Sequence, residues 1–331
     1  MAERAPSLKV DVFYGLMTLG TAMLWVILSG WLMYFYLPPE GAPLVAAPLY
    51  GAVMLAVRVV NAVLALPVGR WSDHTRSRWG RRLPFMFWSG LPLVLFFVLL
   101  WTPPVRGESV WNLVYLAVVL LVYNVAYTLH QIPYTALLPE LALADEHRVR
   151  MSGWMSGFML LGMILGGLAG PLIERMGYVA TAAIYAAATL PLFYLPFLVL
   201  RERPGRQIRA TERLDFREGL AVMRRNRPFL VMTAAGILYW GVTTLVQGAV
   251  PYIVTEVCLA STADTMYFYL AAVLASLACY PLVTWAATRW GKWPVFAGSL
   301  AASAAVLPLL LVIGNLPGPA PRTQGLIWIT L

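Results

Sequence analysis

Pro67-Val68-Gly69-Arg70-Trp71-Ser72-Asp73-His74-Thr75-Arg76-Ser77-Arg78-Trp79-Gly80-Arg81-Arg82-Leu83-Pro84-Phe85 is a strongly basic loop set between two apolar runs. Before it, residues 44–66 carry Arg58 as their single charge, and residues 86–102 after it carry none. Runs of this length and polarity read as transmembrane helices, since a span needs about 20 mostly apolar residues. The pattern returns at Pro281-Leu282-Val283-Thr284-Trp285-Ala286-Ala287-Thr288-Arg289-Trp290-Gly291-Lys292-Trp293-Pro294-Val295-Phe296. Each copy has an apolar helix end, then Arg-Trp-Gly followed by Arg or Lys, then a Pro that opens the next run. Gly80 and Gly291 lie 211 residues apart, the length of one six-span unit with a connecting segment. That spacing favours an internal repeat over chance likeness between two basic turns.

Composition sets the same class. Hydrophobic residues make up 60% of the chain, charged residues 12%, and mean hydropathy is +0.72. A soluble domain carries about 25% charged residues, so this chain has too little polar surface for water. Spans read at 11–37, 44–70, 84–102, 110–138, 151–174, 177–200, 228–255, 265–288 and 294–314, and residues 325–331 look like the start of another. The 13 Trp and 16 Tyr suit two interfacial belts. Cys258 and Cys279 lie in apolar stretches and imply no disulfide framework. The polar opening is not a cleavable signal, because the apolar run after it is long enough to remain as a span. The chain stops within an apolar run, as a truncated product or fragment would.

The charges then give topology. Twenty of the 24 basic residues fall on one side: Arg4 and Lys9; Arg70, Arg76, Arg78, Arg81 and Arg82; Arg148 and Arg150; nine Arg from Arg201 to Arg227; Arg289 and Lys292. The opposite loops hold Arg106, Arg175 and Arg322, and Arg58 lies within a span. The positive-inside rule places the N-terminus and middle segment in the cytoplasm of a multi-pass plasma-membrane protein. The net charge of +9 is therefore topogenic. A nucleic-acid patch would not alternate with the spans. The expected architecture is all-α: a six-helix bundle over residues 1–200, an Arg-rich loop over 201–227, and an incomplete second bundle over 228–331, with about nine or ten spans of an expected twelve.

Gly69-x-x-Ser72-Asp73-x-Thr75-x-Ser77-Arg78-Trp79-Gly80-Arg81-Arg82-x-Pro84 resembles the loop signature of the glycoside–pentoside–hexuronide:cation symporters, the melibiose-permease-like branch of the major facilitator superfamily. Tyr14-Gly15, Leu32 to Tyr36, Arg58-x-x-Asn61, Tyr127-Thr128, Ile132-Pro133 and Leu138-Pro139-Glu140 agree with it. The resemblance covers spans one to six well and seven to nine loosely. It implies a major facilitator fold, a site between two halves near the midplane, and secondary transport of a sugar- or glycoside-like solute. It also implies a cytoplasmic gate of Gly69, Asp73, Arg78, Gly80, Arg81 and Arg82. A carboxylate amid guanidiniums makes charge-assisted bonds that break when the inner face opens, and the glycines permit close approach and a tight turn.

Ionisable residues inside a membrane are costly and mark pathways. Arg58 stands midway along the second span, with Asn61 at i+3. In the fourth, Tyr127, Thr128, His130 and Gln131 extend a polar band begun by Tyr123 and Asn124. Such groups bind a polyol or coordinate an ion by neutral oxygens; interhelical packing is the plainer alternative. His130 is also a candidate proton carrier. On the seventh span Tyr239, Trp240 and Gln247 are candidates to face the cavity, and Gly157, Gly162, Gly166, Gly167 and Gly170 form small-residue faces on the fifth. The departures from the resemblance count too. Family members carry a Lys-Asp pair where this chain has Thr21-Ala22, Asp at the positions of Asn61, Ala65 and Gln131, and an Arg near Ser156. The usual cation site is thus expected to be absent. Arg58 loses its counter-ion, which an acid from further helices or an anionic solute would supply.

His74, His130 and His147 are scattered, and no nucleophile or metal spacing occurs, so neither an enzyme nor a cofactor is expected. The functions left open are a symporter coupled to H⁺ or Na⁺, a uniporter, a carrier of an anionic or amphiphilic, lipid-like solute, and a non-transporting sensor with a transporter fold. The expected partners are a small-molecule solute and the bilayer, with the protein a monomer. With Asp73 in the gate, Asp73→Asn lowers uptake about tenfold at unchanged membrane abundance. Equal flux at equal abundance removes Asp73 from that role.

Overall fold

The computed structural model describes residues 8–75, 77–142, 144–200, 202, 223–306 and 317. Through them run α1 (Leu8–Tyr36), α2 (Ala47–His74), α3 (Leu83–Leu99), α4 (Val110–Leu141), α5 (Asp145–Gly167), α6 (Ala169–Tyr194), α7 (Arg227–Tyr252), α8 (Thr265–Trp290) and α9 (Lys292–Val306). Among the described residues, seven helical segments are long and apolar enough to cross a membrane. Most of the expected middle loop, the end of the 294–314 span and the 325–331 run lie outside the described residues.

Helix ends differ from the apolar runs where polar residues are good helix formers. Helix α5 begins at Asp145, six residues before the run at 151, with Asp145 and Glu146 in its first turn. Carboxylates there complement the unpaired N–H groups and the helix dipole. Between the fifth and sixth runs, hydrogen bonding divides α5 from α6 at Leu168, and Gly177 (φ 80°, ψ 172°) breaks the path of α6. The repeat acquires a backbone basis as well: Gly80 (φ 112°) and Gly291 (φ 88°) both adopt the left-handed region, which glycine enters without a Cβ penalty.

Helix α1 packs on α5, α6 and α7, α4 packs on α2 and α3, and α3 also packs on α6. The α1–α5 approach depends on glycine. A Cβ at Gly162 would lie 2.7 Å from Ala22 Cβ and 2.8 Å from the Leu19 carbonyl, and one at Gly166 would lie 2.8 Å from Val26 Cβ. Gly167 and Gly170 meet α8 and the turn before it in the same way, whereas Gly157 faces open space and is not part of this face. Tyr14 and Tyr134 tie α1 to α4: their rings stack at 4.4 Å, and each hydroxyl donates to the other's carbonyl, at 2.6 and 3.1 Å. Trp31 and Trp101 are buried in the bundle rather than in an interfacial belt, while Trp88, Trp111 and Trp293 are exposed as belt residues would be.

Among the described residues, the hydrogen bonds and most of the burial that join α7 and α8 to the first six lie toward one end. Along α7, Leu238, Trp240 and Leu245 are exposed, and burial starts at Gly248 and continues through Val250, Pro251, Val254 and Cys258. Along α8 it runs the other way, from buried Thr265, Tyr269 and Val273 to exposed Leu274, Leu277 and Tyr280. Tyr252 donates to the Leu37 carbonyl (2.6 Å), Tyr34 to Thr255 (3.3 Å), and Thr262 Oγ1 and Ala263 N to Glu174 (3.2 and 3.0 Å). Overpacking a tight helix contact costs about 1–3 kcal/mol. Gly162→Leu and Gly166→Leu therefore lower the melting temperature in detergent, while Gly157→Leu leaves it unchanged; equal melting of all three sinks this packing account.

Candidate functional site

The inner limit of that seam holds the sequence's most unusual charge. Arg58 projects from α2 with its guanidinium 5.7 Å from the Trp25 ring centroid on α1. The Trp25 indole N–H donates to Gln247 Oε1 on α7 at 3.2 Å. Arg58 is exposed, Trp25 and Gln247 are half-buried, and no carboxylate among the described residues pairs with Arg58. A guanidinium over an indole face is held by the ring quadrupole, worth about 0.5–2 kcal/mol. Tyr50, Tyr123 and Tyr127 lie within electrostatic reach of the same cation. One turn on, Thr128 donates to Asn61 Oδ1 and so joins α4 to α2. Where the resemblance implied an Asp at position 61, a neutral amide accepts from a neutral hydroxyl.

The other expected site residues separate. His130 is fully buried within the first six helices, 4.5 Å from the Phe193 ring, and neither ring nitrogen has a partner among the described residues. Gln131 is half-buried with an unpartnered Oε1. Tyr239 and Trp240 are exposed on α7, two turns nearer the open end than Gln247. Trp25 carries no charge and sits in an apolar run, so no sequence signal singled it out.

The signature loop forms a dense charge cluster. Buried Arg82 donates to Asp73 Oδ1 at 2.8 Å and to the Ala136 carbonyl, and lies 3.2 Å from Glu140. Arg81 donates to Glu140 at 2.6 Å. Glu202 accepts from the backbone N–H groups of Arg81, Arg82 (2.7 Å) and Leu83 (2.8 Å), and so caps the start of α3. Arg78 is exposed, and Gly80 supplies the turn beside the Glu202 side chain. Gly69 is not crowded: the nearest atom to a Cβ there, on Ile132, is 3.9 Å away. Sequence reasoning missed a second cluster. Asp11 on α1, fully buried, accepts from His147 Nε2 (2.7 Å) and Arg150 Nε (2.6 Å) on α5. The signal was an acid in the first turn of an otherwise apolar span.

Comparison with known proteins places this arrangement. The chain is 27% identical over 277 residues to the isoprimeverose transporter of Lactiplantibacillus pentosus, covering 80% of this chain and 56% of that protein. It is 35% identical over 157 residues to the symporter sll1374 of Synechocystis, covering 46% and 28%. It is 25% identical over 274 residues to the glucuronide carrier protein homolog of Escherichia coli, covering 80% and 58%. The chain thus spans about half the length, or less, of these curated relatives. The family model described as MFS/sugar transport protein matches residues 13–329. With nearly the whole chain inside that match, this multi-pass membrane protein belongs to the MFS/sugar transport protein family.

Proposed function

We propose that this chain forms the first bundle and part of the second bundle of a secondary transporter, not an enzyme, that moves a small sugar- or glycoside-like solute across the plasma membrane. The observation that carries this reading is the one-ended seam. Residues 8–200 and 227–306 close on each other from Gly248 to Cys258 and part on the other side of Gln247. Arg58 and Trp25 lie where that burial begins, and a seam of separable contacts at one end of two bundles is what alternating access requires. With the basic loops in the cytoplasm, the open side faces inward.

The family's cation site is not retained in this reading. Asn61 and Thr128 are neutral and bonded to each other, Ala65 offers no ligand, and Na⁺ prefers charged oxygens. A second reading, an anionic solute, is favoured by Arg58, a cation at the limit of the seam without a carboxylate among the described residues. It agrees with one relative's being named a glucuronide carrier.

Uptake by full-length protein in proteoliposomes tests both. Methyl β-D-glucoside or methyl β-D-glucuronide enters, and dissipating the Na⁺ gradient changes the rate less than about twofold. A steep Na⁺ requirement overturns the lost cation site. Arg58→Ala abolishes glucuronide uptake and spares glucoside; loss of both alike overturns the anionic reading.

A further inference from the structure

Trp25 stands where three independent features meet. It lies near the middle of α1, a helix running from Leu8 to Tyr36. Its ring face is covered by the guanidinium of Arg58, and its N–H is taken by Gln247 of α7. It also marks the boundary of the seam. Beyond Gln247, α7 is buried at Gly248, Val250 and Pro251, and before it α7 is exposed at Leu245.

We propose that Trp25 is the solute-recognition platform, taking a pyranose-sized ring with an acidic substituent against its indole face. This rests on the transport reading above. Arg58 lies against that face. An acidic substituent draws the guanidinium off the ring into a charge-assisted, bidentate pair, and the uncovered indole receives the apolar face of the sugar ring. A side chain with a flat apolar body and a polar N–H is suited to this double contact. Trp25 and Gln247 belong to the two sets of helices that meet at the seam, so movement of the indole also bears on the bond between them. Solute recognition and the release of the seam therefore share one residue. Nothing covalent changes; one cation–π contact is exchanged for an ion pair and a ring contact.

Binding of methyl β-D-glucuronide and methyl β-D-glucoside to the full-length protein, followed by tryptophan fluorescence and by isothermal titration, decides the matter. Wild type binds the glucuronide more tightly than the glucoside and changes its emission on binding. Trp25→Ala weakens glucuronide binding about fivefold or more. Trp25→Phe keeps a ring face, holds affinity within about twofold and abolishes the emission change. Gln247→Leu removes the N–H partner and weakens glucuronide binding less than Trp25→Ala does. A Trp25→Phe protein as weak as Trp25→Ala, or a Gln247→Leu protein equally weakened, shows that the hydrogen bond rather than the ring matters, and overturns the platform. Wild-type affinity and emission retained in the Trp25 variants overturn it while leaving transport intact. Equal affinity for both sugars overturns the acidic substituent, and no binding of either by wild type overturns the transport reading and this inference together.

Discussion

Taking a charge into hydrocarbon costs several kcal/mol unless the charge is paired or wetted, and that cost arranges this molecule. Arg82 is buried, so it is surrounded by acceptors: Asp73, Glu140 and the Ala136 carbonyl. Asp11 is buried, so it holds two nitrogens from α5. Both clusters lie near helix ends, where the loss of hydration is smallest. Arg58 is the exception, a cation midway along a span. It is exposed and keeps one flank against an aromatic ring. The same cost that sorts the basic loops to one face thus marks the charge left midway along a described span.

The two kinds of contact divide the work mechanically. The charge clusters join α1 to α5, and the start of α3 to α2, α4 and Glu202, eight residues beyond the end of α6. Breaking a buried pair strands an uncompensated charge and costs about 3–5 kcal/mol. The seam to α7 and α8 uses neutral hydroxyl bonds, a single carboxylate at Glu174, and glycine contacts. A neutral hydrogen bond contributes about 0.5–1.5 kcal/mol net. The seam also buries Val26, Val250, Val254, Cys258 and Tyr269 together; in the transport reading proposed above, motion would concentrate at the seam, with the first bundle moving as a braced unit. In this arrangement the signature loop, legible in sequence as a gate, is also the brace of one bundle.

The spans were legible because lipid enforces long apolar runs, and the loop signature because charges cannot wander from the membrane face. The repeat was legible in Arg-Trp-Gly, and the matching backbone at Gly80 and Gly291 gives it a conformational reason. Helix starts were less legible: α5 extends into a polar segment whose helicity comes from its acids and not from hydropathy. Residues anomalous for their surroundings, Arg58, Asn61 and Thr128, were legible as candidates, and the structure brings Thr128 to Asn61 and Arg58 to Trp25. Trp25 was not, since a Trp in an apolar span is ordinary until its partners are known. His130 shows the converse: anomalous in sequence, it lies against Phe193 inside the bundle and away from the seam.

Electrostatics connects the features that remain at the site. Asn61 is three residues beyond Arg58 on one helix, so their side chains are neighbours at about 5–6 Å. A cation bound at Asn61 and Thr128 would be repelled by the guanidinium. Carboxylates at positions 61, 65 and 131 would cancel that field, and here the three are Asn, Ala and Gln. Replacing the acids while keeping the arginine converts a site balanced for a cation into one with an uncancelled positive charge. An anion bound at Arg58 would remove the repulsion, so in this reading any remaining cation binding must follow solute binding rather than precede it. The charge of the solute and the order of loading are then set by the same residue.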